Sequence, residues 1–458
     1  MENGLRPNAA ILFADSAVKQ YKISERMNYY GVPSVSIAVI HNGKLAWAKA
    51  YGVANDSTQR KVDSRTLYQA ASLSKTVNAF AILRLVQAGK LALDQDIRPY
   101  LKSWNFPDNE LSKGKMITLS NLLSHTAGLS TGGFMGYAKG DSLPTINEML
   151  DGKHPANSET VKPIFAPGTH YQYSGGGILV TRKILMDHIA WDYAGLMDQQ
   201  VLQPLGMTSS TYAQPLPAGV NNFALGYDHN RKPMPGQYTV TPELAPDGLW
   251  TTPSDYAKLV ISIQRSLSEK GGLLDKKIAE TMVSPVLPGS DAALGTFILE
   301  HGGEKYFWHR GANKGYRSIY YGSCTTGDGV VVMINSDNDQ ILDEIVNSVA
   351  VTYNWKSFYE PEVRKLAALP AATVLTYTGE YHSEHPSLTI IVRQKDGALE
   401  LSVGSGHTFE KLYFTSLTSF FLMSSPDTQA SFTIEDTGKV FGLQVMQGNK
   451  ILFTAKKQ

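Results

Sequence analysis

The chain has 458 residues, of which 42% are hydrophobic, and its 42 Lys and Arg residues nearly balance its 41 Asp and Glu residues. This composition is typical of a globular protein with room for one large domain and a smaller one. A formal net charge of +1 argues against a nucleic-acid or anionic-membrane partner, and no apolar run approaches the ~20 residues of a membrane span.

The start of the chain predicts a helix followed by a strand pair. Residues 9–30 have a helix-like pattern, and two apolar runs follow at residues 35–40 and 45–51. Asn42-Gly43 lies between these runs, and because both residues tolerate positive φ angles, the pair favours a β-hairpin. The first residues contain no signal peptide, which predicts a cytoplasmic protein, or a periplasmic or secreted one if a leader was trimmed.

The middle of the chain is mainly helical. From about residue 72 to about residue 305, helical stretches alternate with loops rich in Gly and Pro. Strands resume at residues 306–309, 318–321 and 329–334, before a helical segment at residues 340–355. This order predicts an α+β fold: a mixed antiparallel sheet flanked by helices, with the N-terminal strand pair at one edge and a helical lobe inserted.

The character of the sequence changes after Trp355. Residues 361–376 include Pro370 and several alanines, which indicates a linker with a short helix. Beyond residue 377, short apolar runs alternate with turn signals such as Asp396-Gly397, a pattern typical of a small antiparallel β-barrel. We therefore expect a large domain over residues 1–360, a linker over 361–376 and a barrel domain over 377–458.

The segment Ser72-Leu-Ser-Lys75 carries the main chemical signal. Helical spacing continues beyond it, and residues three apart on a helix lie on one face within hydrogen-bonding reach. A serine hydroxyl is a weak nucleophile until a base takes its proton, and a desolvated lysine can be that base. The same pattern also arises by chance, in which case Ser72 is a helix cap and Lys75 is exposed to solvent. If the segment is catalytic, Ser74 is the alternative nucleophile.

Two further segments carry residues suited to the same chemistry. Tyr173-Ser-Gly175 lies in a loop before a predicted helix, where a tyrosine beside an ammonium group can exchange a proton with a leaving group. His309-Arg-Gly311-Ala312 lies in a predicted strand whose glycine allows a close approach to substrate. Each also has a structural explanation, as a packed loop tyrosine and a hydrogen-bonded histidine at a strand end.

The three motifs together resemble the serine β-lactamase and penicillin-binding-protein superfamily, in particular its class C-related branch of esterases and D-aminopeptidases. That branch carries Ser-x-x-Lys, Tyr-x-Asn, and Lys-Thr-Gly or His-x-Gly. The likeness covers about residues 20–355 and includes Leu122-Leu-Ser-His125, where the histidine is expected to cap a helix end beside the site. The C-terminal β domain resembles the lipocalin-like module that some of these hydrolases append.

The resemblance implies a serine hydrolase that forms an acyl-enzyme on Ser72, with Lys75 as the deprotonating or orienting partner. Tyr173 is then the general base in acylation and the acid for the leaving group. The N–H groups of Ser72 and Ala312 form the oxyanion hole. The expected substrate is a small molecule or peptide with an ester or amide bond, and no cofactor or metal is implied.

Two departures from the family pattern bear on the substrate. Gly175 replaces the asparagine of the second motif, which contacts substrate amides. His309 replaces the lysine that grips a substrate carboxylate, as in the D-aminopeptidase members, and Gly311 is retained. Ester or peptide hydrolysis is therefore expected over strong β-lactamase activity. A D,D-peptidase or weak β-lactamase and a non-catalytic binding homologue stay open as alternatives, as does the oligomeric state.

A competing motif, Gly128-Leu-Ser130-Thr-Gly132, matches the nucleophile elbow of α/β-hydrolases. That elbow needs a strand before the serine and a helix after it. Here a helical stretch precedes the serine and a glycine-rich loop follows, so the sequence favours Ser72.

Overall fold

The computed structural model describes residues 1–8, 11–14, 20–404, 409–436, 438–448 and 450–458. They form two compact units, Met1–Arg6 with Gln20–Tyr359, and Pro7–Lys19 with Glu360–Gln458. Within the described part of the chain, every helix is too short or too polar to cross a membrane.

The helices in chain order are α1 (Ile23–Tyr30), α2 (Ser74–Gln87), α3 (Leu119–Leu123), α4 (Ile146–Asp151), α5 (Gly175–His188), α6 (Tyr193–Met197), α7 (Gln203–Leu205), α8 (Pro253–Leu267), α9 (Lys276–Met282), α10 (Gln340–Thr352) and α11 (Ala371–Tyr377). Short 3₁₀ turns form at Ala71–Leu73 and Arg98–Tyr100, and a π-helical turn forms at Asp198–Leu202.

The strands of the first half of the chain are β1 (Ile11–Phe13), β2 (Ser34–His41), β3 (Lys44–Asn55), β4 (Arg60–Lys61), β5 (Tyr68–Gln69) and β6 (Trp250–Thr251). The next strands are β7 (Phe297–His301), β8 (Glu304–Asn313), β9 (Tyr316–Ser323), β10 (Gly329–Ile334), β11 (Glu362–Arg364) and β12 (Gly379–Glu384). The last are β13 (Ser387–Lys395), β14 (Ala398–Val403), β15 (Glu410–Lys411), β16 (Tyr413–Phe414), β17 (Ser419–Leu422), β18 (Ser425–Ile434), β19 (Val440–Gln447) and β20 (Lys450–Lys457).

A seven-stranded antiparallel sheet forms the centre of the first unit, in the order β4-β3-β2-β10-β9-β8-β7. The predicted hairpin of β2 and β3 is confirmed, with positive φ angles of 53° at Asn42 and 68° at Gly43. Because β2 pairs with β10, the N-terminal strands extend the sheet built by the later strands. The predicted α+β fold class is thereby confirmed.

The side chains of this sheet enter two separate cores. On β10, Val330, Val332 and Ile334 pack in the core that contains α1 and α10, whereas Val331 and Met333 belong to the core that contains α2 and α8. This alternation is the period of two that a strand imposes. Since helices cover both faces, the sheet is a packed central layer, and α2 beside it is buried over most of its length.

The predicted helix over residues 9–30 is wrong in its first part. Ile11–Phe13 forms strand β1, which pairs in parallel with Glu362–Arg364, and the helix that the structure describes in this region is Ile23–Tyr30. Residues 9–10 and 15–19 of that prediction lie outside the described residues. A local pattern could not reveal the strand, because its partner lies about 350 residues further along the chain.

The second unit contains a nine-stranded antiparallel sheet in the order β15-β14-β13-β12-β20-β19-β18-β17-β16. Its two end strands are separated in the chain only by Leu412. Glu410–Lys411 pairs with β14, and Tyr413–Phe414 pairs with β17. One short run of chain therefore forms both end strands of the sheet and nearly closes it into a barrel. This confirms the predicted C-terminal barrel.

Candidate active site

Ser72 lies immediately before α2, in the 3₁₀ turn Ala71–Leu73, and the α-helix itself begins at Ser74. Ala71 has a φ of 50°, a left-handed conformation that is strained for a residue with a Cβ and that often occurs at functional sites. Strand β9 supports this turn, because the hydroxyl of its Ser318 donates to the Ala70 carbonyl at 2.8 Å. The partly exposed Ser72 therefore occupies a constrained position at the helix start.

Three predicted residues meet at the Ser72 hydroxyl. Lys75 Nζ donates to Ser72 Oγ at 2.9 Å, and the Tyr173 hydroxyl donates to the same atom at 3.0 Å. Lys75 is only 2% exposed, and its Nζ also donates to the carbonyl of Pro246 at 2.8 Å. The amine lies 5.1 Å from the centroid of the Tyr173 ring. The structure thus brings a hydroxyl, an amine and a phenol together around one point.

The loop that carries Tyr173 is joined firmly to α5. Ser174 caps this helix, since its Oγ accepts the N–H of Gly177 at 2.8 Å, and it donates to the Ser130 carbonyl at 2.6 Å. Gly175 is the first residue of α5. A Cβ on Gly175 would lie 3.0 Å from the ring of Phe134, so an aromatic ring borders the place of the missing asparagine.

Strand β8 passes against the turn of Ser72. A Cβ on Gly311 would lie only 2.3 Å from the Ala70 carbonyl oxygen, so glycine is required for this close approach. Ala312 follows Gly311, is exposed and pairs with Arg317 of β9. The two N–H groups predicted for the oxyanion hole, those of Ser72 and Ala312, therefore belong to adjoining segments.

His309 on β8 is a buried neutral imidazole. Its Nδ1 lies 2.6 Å from the Arg310 carbonyl oxygen, so this nitrogen carries the proton. Its Nε2 is buried and has no hydrogen-bond partner among the described residues. Burial and the charge of Lys75 lower the pKa of His309 to about 3. At neutral pH, His309 therefore presents a hydrogen-bond acceptor where the family pattern has a cation.

Two buried carboxyl groups near the site were not predicted from the sequence. Asp247 follows Pro246, the residue bound by Lys75, and its carbonyl accepts from Asn313 Nδ2 at 3.2 Å. Burial raises the pKa of Asp247 to about 7. Burial and the neighbouring Asp247 raise the pKa of Glu243 well above its usual value. The i, i+4 spacing of the two acids in an otherwise apolar segment was the only available signal.

The described residues around the site include no evident place for a metal ion. In the part of the chain that the structure describes, there is no group of three or more His, Cys, Asp or Glu side chains placed to bind one. The groups that meet around Ser72 are a hydroxyl, a buried amine and a phenol, and groups of these kinds are able to carry out acyl transfer.

Comparison with known proteins gives a family match over most of the first unit. Residues 20–347 match the family described as Beta-lactamase. Among curated proteins, the chain is 24% identical over 339 residues to Protein flp of Staphylococcus aureus (strain MRSA252), covering 70% of this chain and 64% of that protein. It is 29% identical over 210 residues to esterase EstB of Burkholderia gladioli, covering 44% and 52% of the two chains. The chain therefore spans less than two thirds of the length of these relatives.

Solved structures show the same fold. The octameric penicillin-binding protein homologue from Pyrococcus abyssi superposes with a TM-score of 0.64 at 20% identity, covering 95% of this chain and 98% of that one. The D-amino acid amidase from Ochrobactrum anthropi SV3, complexed with L-phenylalanine, gives a TM-score of 0.57 at 21% identity, covering 71% and 96%. The first of these matches extends over both units of the chain.

Proposed function

Because the chain belongs to the Beta-lactamase family, as its three motifs predict, we propose that it is a serine hydrolase that cleaves a small ester or amide bond through an acyl-enzyme on Ser72. The observation that carries this proposal is the double hydrogen bond at Ser72 Oγ, from Lys75 Nζ at 2.9 Å and from the Tyr173 hydroxyl at 3.0 Å. A serine that only capped the helix would have no need of a buried amine and a phenol.

In acylation, Ser72 Oγ attacks the carbonyl carbon of the substrate. Its proton passes to the oxygen of Tyr173, which serves as the general base while Lys75 Nζ lies 5.1 Å from the centroid of the phenol ring. The carbonyl oxygen becomes an oxyanion and accepts the N–H groups of Ser72 and Ala312, and each such donor contributes about 3 kcal/mol to the transition state. Lys75 also orients the Ser72 hydroxyl through its hydrogen bond.

Collapse of the tetrahedral intermediate breaks the C–O or C–N bond of the substrate. The departing oxygen or nitrogen takes the proton from Tyr173, so an alcohol or amine leaves and Tyr173 can again act as a base. Water then attacks the carbonyl of acyl-Ser72 and gives a proton to Tyr173. Ser72 Oγ leaves, recovers that proton, and the carboxylic acid is released. Tyr173 thus alternates between base and acid in both halves of the cycle.

The neutral His309 supports an ester or uncharged amide as substrate. Strong binding of a substrate carboxylate calls for a charged donor, and a histidine whose pKa is lowered to about 3 supplies none at neutral pH. Its Nε2, which is buried and has no hydrogen-bond partner among the described residues, is an acceptor and not a cation. The relatives that are an esterase and a D-amino acid amidase agree with this preference.

The test is a comparison of turnover on p-nitrophenyl acetate, a D-alanyl amide and nitrocefin. We expect the ester or the amide to be the best substrate and Ser72→Ala to abolish turnover of all three. Ser130→Ala is the matched control, because its hydroxyl lies in the competing motif and donates to the Thr160 carbonyl. Activity retained in Ser72→Ala would refute the nucleophile, and nitrocefin as the best substrate would refute the preference assigned to His309.

A further inference from the structure

His125 contacts the loop of Tyr173 on both sides of the tyrosine. The N–H of Gln172 donates to the His125 carbonyl at 2.8 Å, and the N–H of Ser174 donates to His125 Nδ1 at 3.2 Å. The imidazole also packs against the phenol ring, with 4.4 Å between the ring centroids and 37° between the planes. His125 therefore contacts Tyr173 and both of its neighbours in the chain.

The location of His125 makes it a stable support. It follows the end of α3, where Ser124 is the C-cap, and its φ of 57° places it in the left-handed region. Left-handed residues commonly end helices in this way, although glycine or asparagine is the usual choice. A histidine in this strained position is only 4% exposed, and its ring packs against those of Tyr173 and Phe297 rather than lying free in solvent.

The hydrogen bond from Ser174 requires a neutral imidazole. Nδ1 can accept an N–H only while it carries no proton itself. Burial, together with the positive charge of Lys75, keeps the pKa of His125 well below its ordinary value. The ring therefore remains an acceptor throughout the neutral pH range.

We propose that His125 is a positioning residue that fixes the Tyr173 hydroxyl on Ser72 Oγ and, later, beneath the leaving group. The inference rests on the proposed function and adds a requirement to it. Tyr173 lies outside regular structure, two residues before α5. A displacement of about 1 Å at a reacting group can lower a rate about a hundredfold. The contacts of His125 on both neighbours of Tyr173 restrict such displacements.

This role predicts an effect that depends on the leaving group. p-Nitrophenolate departs without a proton, whereas an alkoxide or an amine must receive one from Tyr173 as it leaves. Displacing the phenol should therefore slow alkyl esters and amides much more than a p-nitrophenyl ester. General loss of folded protein lowers both rates by the same factor.

Three substitutions separate these possibilities. His125→Leu removes the acceptor at Nδ1 and the aromatic ring. His125→Asn keeps a side-chain acceptor and suits the left-handed backbone, since asparagine tolerates positive φ. His188→Leu is the matched control, because His188 also packs on a tyrosine ring, Tyr100 at 4.8 Å, but lies at the other end of α5.

The experiment measures kcat/KM on ethyl acetate and on p-nitrophenyl acetate for these variants, with and without Tyr173→Phe. We expect His125→Leu to lower the ethyl ester rate at least tenfold more than the p-nitrophenyl rate. His125→Asn and His188→Leu should keep the wild-type ratio. In the Tyr173→Phe background, His125→Leu should cause no further loss on the ethyl ester, because the group it positions is already absent.

Equal losses on the two esters, or an undiminished loss in the Tyr173→Phe background, would overturn the role of His125. If His125→Leu does not fold, His125→Asn still decides: a rate ratio as low as that of Tyr173→Phe contradicts the inference, and the wild-type ratio supports it. Ser72→Ala, assayed in parallel, tests the proposed function separately. If Ser72→Ala is inactive and the ratio does not change in His125→Leu, only the positioning role fails.

Discussion

At the scale of single residues, the site contains buried polar groups whose desolvation cost is only partly offset by hydrogen bonds. Asp247 Oδ1 and both carboxyl oxygens of Glu243 are buried without a hydrogen-bond partner in the described residues. A buried carboxyl in this situation avoids the large desolvation cost by holding its proton. These groups lie beside Pro246, whose carbonyl accepts a hydrogen bond from Lys75. Active sites are the places where proteins commonly retain destabilising features that activity requires.

Asp247 should make stability depend on pH. Its pKa is 3.8 in the unfolded chain and about 7 in the folded protein. The unfolded chain therefore releases the proton first as pH rises, and folding stability falls between about pH 4 and pH 7. An asparagine side chain cannot ionise, so we expect Asp247→Asn to show a smaller decrease in Tm from pH 5 to pH 8 than the parent protein, measured by thermal unfolding.

The control for this measurement is Asp94→Asn, a substitution at an exposed carboxyl. It should leave the change in Tm between the two pH values as it is in the parent. An unchanged pH dependence in Asp247→Asn would mean that this carboxyl ionises freely in the folded protein, contrary to its burial.

The sequence predicted which side chains meet but not their ionisation. Ser72, Lys75 and Tyr173 could be identified because each lies in a short motif with a known chemical purpose. The lowered pKa of His309 and the raised pKa values of Asp247 and Glu243 depend on burial and on partners distant in the chain, and a local pattern contains neither. The place of His125 was anticipated at a helix end, whereas its contacts with both neighbours of Tyr173 depend on a loop about 50 residues away.

At the scale of elements, the approach of β8 to the turn before α2 assembles the site. Gly311 has no room for a Cβ beside the Ala70 carbonyl, and the hydroxyl of Ser318 on β9 holds that same carbonyl. The hairpin of β2 and β3 was predictable from its turn residues alone. The left-handed Ala71 was not, since alanine has no local preference for that conformation and the surrounding strands impose it.

A side chain at position 311 should separate β8 from the Ser72 turn. We expect Gly311→Val to lower the free energy of unfolding by about 2 kcal/mol, the usual effect of overpacking, and to reduce kcat more than KM, because the Ala312 N–H moves away from Ser72. Chemical denaturation and steady-state kinetics measure the two effects. Gly133→Ala is the control, since a Cβ there meets no atom within 4 Å. Full activity in Gly311→Val would contradict the proposed contribution of β8.

At the scale of the whole molecule, each of the two units has a core of its own. The first unit packs helices on both faces of a seven-stranded sheet. The barrel core is rich in aromatic rings, of which Tyr377 and Phe432 stack with their centroids 4.1 Å apart. Successive short strands predicted a barrel. The sequence does not reveal that residues 410–414 nearly close it by pairing with β14 on one side and with β17 on the other.

Removing one ring should therefore loosen the barrel specifically. We expect Phe432→Ala to destabilise the barrel by about 4 kcal/mol, a typical value for a buried aromatic residue. Hydrogen exchange followed by mass spectrometry should then show faster exchange in the strands from β12 to β20 and unchanged exchange in the strands from β8 to β10. Equal acceleration in both sets of strands would contradict the assignment of separate cores.

The most direct test of the central claim is to identify the residue that becomes acylated. The protein is incubated with a fluorophosphonate, and the adduct is located by intact-mass and peptide mass spectrometry. We predict one adduct per chain, on Ser72, formed at a much lower rate when Lys75 or Tyr173 is replaced by Met or Phe respectively. An adduct on Ser74 or Ser130, or no adduct in the folded protein, would contradict the account.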